Sequence, residues 1–553
     1  MTRFAEMWKM IPPEKKSKGY LAVAFIPLKS ILDICGIALL IPVLSLVLES
    51  DSVFADYKFE VAVTTIVTMI VRGILCMLII RYQNKYLLSL YRHYSNTMFR
   101  NLYAKGLLFV KESNSSELAY DINGACYDFA TGYFSSIIRF VGDSIFCIGL
   151  IAGLLIADIK STSLVFCAIV PIILIYMLLV KKELRRLGME EFRKRRDQQK
   201  LVQETFKGYA EMQINGAYDV MLDRFESGLS LISKYSVRRV SIESLPGYLL
   251  EIGIAIVAAL LVVFVNETQL DDMKLFLGVF AVAVMRMIPA IRELISTYNI
   301  INNTTYAKDV VKRECQPIEK EHIHDIIPLD FKKEIKVENL CFGYDDNPLL
   351  NNVNLTINKG DIFGFKGRTG SGKSTIFNLL LGLFPANKGS IKIDGTELTE
   401  ENTANWQKRV GYVAQDVFIG DISLAENIAL GCTHDQIDYK RIEQVVKAAE
   451  LDDFVRELPD GLDTRIGEAG SRISGGQKQR IGIARALYKG ADVLFFDEAT
   501  SALDSETEKA VNKSIAALNN NSNNRITIII IAHRETSLQI CNKIFNIETN
   551  SLL

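Results

Sequence analysis

The chain has 553 residues, with 63 Lys and Arg against 64 Asp and Glu, a formal net charge of −1, and 49% hydrophobic residues. That length leaves room for several domains, and the near-neutral balance argues against a nucleic-acid binder relying on bulk positive charge.

The apolar residues are concentrated in runs. Those long enough to cross about 30 Å of hydrocarbon, for which about 20 residues suffice, fall near 19–48, 61–82, 133–158, 161–180, 245–266 and 273–300. This predicts an all-α domain over 1–307 with six membrane-spanning helices. The amino terminus carries Arg3, Lys9, Lys15, Lys16 and Lys18, and the long connections near 83–132 and 181–244 are rich in Lys and Arg, whereas the short loops near 49–60 and 267–272 are acidic. The positive-inside rule then puts both ends in the cytoplasm, and the expected location is the cell's inner (plasma) membrane. The first span is too long for a cleaved signal peptide and lacks a small-residue cleavage site. Nine cysteines include no C-x-x-C pair and none in a predicted external loop, so they read as reduced and structural.

Charges inside spans cost roughly 2.5 to 3.5 kcal/mol each on insertion scales and so call for partners. Lys29 with Asp33, and Arg139 with Asp143, are four apart and read as pairs on their own helices. Arg72 and Arg286 have no acid three or four residues away. Either they face a central cavity and meet an anionic head group, which suits the planar guanidinium, or they pair with Glu251 or another acid across helices.

After a polar linker, 308–333, the segment 334–553 reads as an α/β domain. Gly367-Arg368-Thr369-Gly370-Ser371-Gly372-Lys373-Ser374-Thr375 fits the phosphate-loop pattern, between the apolar run Asp361–Phe365 and a helical pattern from Ile376. Backbone N–H groups and the helix amino end would face phosphate, Lys373 would add charge, and Ser374 would offer a hydroxyl to Mg²⁺. Val493-Leu494-Phe495-Phe496 reads as a buried parallel strand delivering Asp497 toward Mg²⁺ and Glu498 toward an attacking water. Alone, Asp497 and Glu498 would read equally well as a helix cap. Ser474-Gly475-Gly476-Gln477 opens another helix whose positive end forms an anion site. One chain already has its phosphate loop, so this second site makes most sense if it serves a nucleotide held by another copy. The expected nucleotide is ATP.

From about Ile335 onward these motifs resemble the nucleotide-binding domain of ATP-binding cassette transporters. The resemblance implies that Tyr344 stacks on adenine, that Gln415 meets Mg²⁺ and water together with Ser374 and Asp497, that His533 senses the γ-phosphate, and that Asp504 lies in the loop after the strand. Without their neighbours, Tyr344 would read as a core aromatic, Gln415 as a surface residue and His533 as a core histidine. Six spans with long second and fourth connections resemble the exporter fold of the same family, in which those connections end in short helices against the cassettes; Ser116–Leu118 and Gln213–Gly216 are the expected tips. The membrane half is similar to bacterial lipid-linked oligosaccharide flippases through Ser244-Leu245-Pro246, Leu250-Glu251-Ile252-Gly253 and Met285-Arg286-Met287-Ile288-Pro289, with Gly247 where a third arginine is expected. The expectation is therefore a half-size ATPase using ATP and Mg²⁺. It would pair with a second copy or a related half-transporter and move an amphipathic substrate, such as a lipid-linked oligosaccharide or glycolipid, across the bilayer. A multidrug, lipid or peptide exporter is the alternative, and an ATP-gated channel a remote one.

Overall fold

The computed structural model of the chain describes residues 2–48, 54–157, 159–264, 267–316, 329–344, 348–467, 473–498, 508, 525–532 and 538–552. Internal contacts divide the chain into two compact units. One comprises Met1–Lys105 and Val110–Ile318, the other Gly106–Phe109 and Glu319–Leu553.

The first unit is helical. α1 (Thr2–Met10) leads into α2 (Pro13–Ala38), which starts on a proline whose missing N–H is harmless in a first turn. There follow α3 (Ile41–Leu48), α4 (Lys58–Ala104), α5 (Gly106–Glu112) and α6 (Ser115–Tyr120), then two π-helical stretches, Asp121–Ala125 and Asp128–Phe134. The unit ends with α7 (Ser135–Ala157), α8 (Ile159–Lys207), α9 (Tyr209–Ile214), α10 (Tyr218–Phe264), α11 (Glu267–Asn303) and α12 (Thr305–Glu314). Among the described residues, Pro13–Val47, Lys58–Ala104 and Asp128–Ile156 are long and apolar enough to cross a membrane, with mean hydropathies of 2.4, 2.3 and 1.9. Along α4, Ile66, Ile70, Ile74 and Met77 form an exposed stripe at helical spacing, an arrangement suited to hydrocarbon rather than water. The other expected spans fall within α8, α10 and α11, where the side chains of 161–179 and 257–281 lie outside the described residues.

Two local features depart from expectation. The polar stretch beginning at 308 first continues as α12, because Ala307, Val311 and Glu314 recur every three to four residues and are buried on one face. The tip of the first long connection is also earlier than Ser116–Leu118. Gly106–Phe109 groups with the second unit, where Leu107 and Leu108 pack against the core, whereas Ser116 and Glu117 on α6 bond Gln203 and Arg196 of α8. The apolar Leu107-Leu108-Phe109 run carries no motif that marks it in the sequence. At the second tip, Gln213 and Ile214 end α9, and Gly216 turns the chain with φ 60°.

The second unit contains two sheets. β1 (Glu334–Phe342), β2 (Leu350–Asn358), β4 (Lys388–Ile393) and β5 (Thr396–Glu397) form an antiparallel sheet in the order β2-β1-β4-β5. β3 (Ile362–Lys366), β6 (Val410–Val413), β7 (Val493–Asp497), β8 (Thr527–Ile531), β9 (Lys543–Asn546) and β10 (Ser551–Leu552) form a six-stranded sheet ordered β10-β9-β3-β8-β7-β6. It is parallel except for the β9–β10 hairpin. Side chains alternate faces along each strand. Leu494, Phe496, Ile528 and Ile530 therefore enter one core, and Phe363, Phe365, Val493, Phe495, Ile529 and Ile531 the other. Helices α13 (Lys373–Leu380), α14 (Thr403–Lys408), α15 (Leu424–Ile428), α16 (Tyr439–Ala448), α17 (Asp452–Glu457) and α18 (Gly475–Lys489) complete the unit. Fully buried Trp406 donates its indole N–H to the Leu380 carbonyl at 2.7 Å and so ties α14 to the end of α13.

Candidate active site

Strand register assembles the site. Phe365 of β3 lies beside Ile531 of β8, which lies beside Asp497 of β7, so the loop after β3 and the two carboxylates ending β7 emerge at one edge of the sheet. The carboxyl edge of a parallel sheet is where such folds bind ligands. β8 also ends there, two residues before His533, which lies outside the described residues, as does Asp504.

Gly370 and Gly372 have φ values of 84° and 94°, the left-handed region that favours glycine. At Gly372 a Cβ would also come within 2.9 Å of the Leu350 side chain, so alanine there meets both strain and a clash. This curl turns the chain into α13, whose first residue is Lys373. The lysine is buried, and its Nζ donates to the carbonyls of Gly367 and Arg368, at 2.8 Å each. Burial lowers its pKa, with Glu498, Glu548 and Asp497 acting in the opposite sense. Thr369, Gly370, Gly372, Lys373, Ser374 and Thr375 line an open cavity of about 820 Å³, which Tyr344, Gln415 and Glu498 close from other segments.

Tyr344 is half exposed, with its ring edge-on to both Phe342 and Phe384 and its hydroxyl 3.2 Å from that of Thr375. It is a platform at the rim and not the core aromatic that its strand context alone suggested. Gln415 Nε2 donates to Glu498 Oε2 at 3.0 Å, and Glu498 has a positive φ of 51°, so the backbone turns sharply after β7 and presents this carboxylate to the cavity. Asp497 is buried at the strand end. The hydroxyl of Ser374, the amide oxygen of Gln415 and the carboxylate of Asp497 are hard oxygen donors of the kind Mg²⁺ takes.

Ser474 caps α18 reciprocally. Its hydroxyl accepts the Gln477 N–H, and the Gln477 side chain accepts the Ser474 N–H. The helix therefore starts cleanly at Gly475 with its positive end exposed. None of Ser474, Gly475, Gly476 and Gln477 lines the cavity formed by the phosphate loop.

Sequence reasoning missed two supports of the site. Glu548, after β9, accepts the Arg368 N–H at 2.6 Å and thereby anchors the loop from a position 180 residues away. Phe384 holds the inner edge of Tyr344. Neither carries a local signature.

The charges within the helical unit are corrected. Asp33 pairs across helices with Arg72 at 2.5 Å and not with Lys29, and Arg139 reaches Glu293 at 2.9 Å and not Asp143. Glu251 pairs with Arg292 at 2.5 Å. Glycines explain two of these choices. A Cβ at Gly36 would lie 2.7 Å from Arg72 Nη1, and one at Gly247 would lie 2.2 Å from Arg292 Nε. Each glycine opens a lane along which a long guanidinium crosses the neighbouring helix to its acid. Arg72 thus has a partner, which weakens its candidacy for a head group; the side chain of Arg286 lies outside the described residues. We expect Arg72→Ala and Asp33→Ala each to lower the thermal midpoint in detergent, and the double variant to lose less than their sum. The coupling should be of order 1 kcal/mol. Additive losses would mean that the pair does not form.

Residues 350–501 match the family described as ABC transporter. The ATP-dependent lipid A-core flippase of Francisella tularensis subsp. tularensis (strain SCHU S4 / Schu 4) is 30% identical over 419 residues, covering 74% of this chain and 68% of the relative. The protein of the same name from Yersinia pestis bv. Antiqua (strain Antiqua) is 28% identical over an alignment of 568 residues, covering 100% of this chain and 94% of the relative. A solved bacterial Atm1-family ABC exporter with ATP bound superposes with a TM-score of 0.78 at 21% identity, covering 96% of this chain and 93% of the other.

Proposed function

Because the chain belongs to the ATP-binding cassette transporters, as an exporter half-transporter with an ATPase cassette, we propose that two copies sandwich ATP and use its hydrolysis to move a lipid with a saccharide head group between leaflets. The observation that carries the dimer is the separation within one chain of the phosphate-loop cavity from the Ser474–Gln477 helix end. Each needs a partner the same subunit does not bring to it, and a two-fold dimer supplies both.

In this reading, Lys373 exchanges its loop carbonyls for nucleotide phosphates and Tyr344 stacks on adenine. Ser374, Gln415 and Asp497 would hold Mg²⁺, which would supply positive charge to the reacting phosphates. Glu498 orients or deprotonates the attacking water, and His533 contacts the γ-phosphate. Asp504 and the partner's signature helix complete the seam. The basic connections support a cytoplasmic cassette in the inner membrane. Tyr344→Ala should raise KM for ATP by about 5- to 150-fold while changing kcat little, because stacking worth about 1 to 3 kcal/mol is equal in ground and transition states. A fall in kcat with KM constant would remove the stacking role.

A lipid cargo is supported by the relatives' name, lipid A-core flippase, and the saccharide head group by the flippase-like segments around Gly253 and Pro289. Reconstitution into vesicles carrying labelled lipid A-type glycolipid or polyprenyl-linked saccharide tests the cargo. ATP-dependent movement of either is the expected result. Movement of neither, with ATPase activity intact, would overturn the lipid assignment and return the choice to drugs or peptides.

A further inference from the structure

Three sulfurs from distant parts of the first unit meet beside α4. Cys126, between the two π-helical stretches, points its Sγ at Met98 Sδ of α4 at 3.8 Å. Its other sulfur neighbour is the thiol of Cys315, which follows the last residue of α12. Cys315 Sγ in turn lies 3.6 Å from the Tyr94 carbonyl, one turn from Met98 on α4. Met98 and Cys126 are fully buried, whereas Cys315 is partly exposed. Asn101 fixes the backbone around Cys315 by donating to the carbonyls of Glu314 at 2.7 Å and Gln316 at 2.8 Å.

We infer that Met98, Cys126 and Cys315 form a binding site for a soft monovalent metal ion, with Cu(I) or Ag(I) as its chemical class. Thiolate and thioether sulfurs select such ions over harder divalent ones. In a trigonal site with metal–sulfur bonds of about 2.3 Å the sulfurs sit about 4 Å apart, close to the spacing already present between Met98 and Cys126. Zinc is a poor fit, since structural zinc takes four ligands and no cluster of three or more His, Cys, Asp or Glu occurs among the described residues. Cys315 provides the entry path, and the buried pair completes coordination. Both thiols lose their protons on binding, so one Cu(I) enters and two protons leave, giving a bis-thiolate complex with net charge −1.

The site would clip together three segments: the carboxyl-terminal part of α4, the entry to α7 and the end of α12. Anaerobic titration of the detergent-solubilised full chain with Cu(I), buffered by a chromogenic chelator, tests it. One Cu(I) per chain is expected, absent in Cys126→Ser and in Cys315→Ser. Met98→Leu, a volume-conserving change, should bind at least about tenfold more weakly, the lower end of what disturbing even an outer-shell partner costs a metal site. Copper should also protect Cys315 from a maleimide and raise the thermal midpoint of the parent, but not that of Cys315→Ser. Uptake of no Cu(I) by a folded parent, or equal uptake by a folded Cys315→Ser chain, would overturn the proposal.

Discussion

Glu498→Gln should hydrolyse ATP about 10² to 10⁴-fold more slowly than the parent, the usual contribution of a positioned acid or base, while still binding nucleotide. The geometry makes this substitution clean. Glu498 follows β7 with a positive φ, faces the cavity, and accepts from Gln415 at 3.0 Å. An amide of the same size keeps a hydrogen-bonding oxygen toward Gln415 but cannot take a proton from water. Phosphate release measured beside retention of labelled ATP should therefore show a chain that holds ATP without consuming it. Brisk turnover would remove Glu498 from the chemistry.

Mixing two inactive chains should restore ATPase activity if nucleotide lies at a seam between subunits. Lys373→Ala removes the phosphate-loop charge, and Ser474→Arg breaks the reciprocal cap that opens α18. Either homodimer carries a damaged part in both sites, and losing a charge-stabilising element of this kind costs about 10² to 10³ in rate. A mixed dimer differs. One of its sites has both lesions, but the other joins an intact Lys373 to an intact Ser474. Doubly tagged mixed dimers should thus show activity well above either parent, up to about half of the unmodified dimer, since one site of two is whole. If each chain used its own signature helix, the mixture would stay inactive, so the comparison separates the two arrangements directly.

Much of the cassette was legible because its chemistry is local. The glycine spacing before Lys373, the apolar run before Asp497 and the Ser474–Gln477 cap each occupy a few consecutive residues, and parallel strands buried on both faces read as continuous apolar runs. Glu548 and Phe384 were not legible, because their value arises only when β9 and the end of α13 lie beside the loop and Tyr344. In the helical unit, four-residue spacing suggested Lys29–Asp33 and Arg139–Asp143. A neighbour on the same helix gains only about 0.2 to 0.5 kcal/mol, so an opposite charge arriving from the next helix readily displaces it. Gly36 and Gly247, the residues that make room, look unremarkable in the chain.

The placement of Gly106–Phe109 bears on how separable the two halves are. A fragment starting at Glu319 would hold every strand of the cassette yet lack Leu107 and Leu108, leaving bare the apolar ground they cover. The cassette is thus modular in topology but not in surface: its skin is finished by the first turn of α5, far upstream of its strands in the chain, and excision would expose a sticky scar.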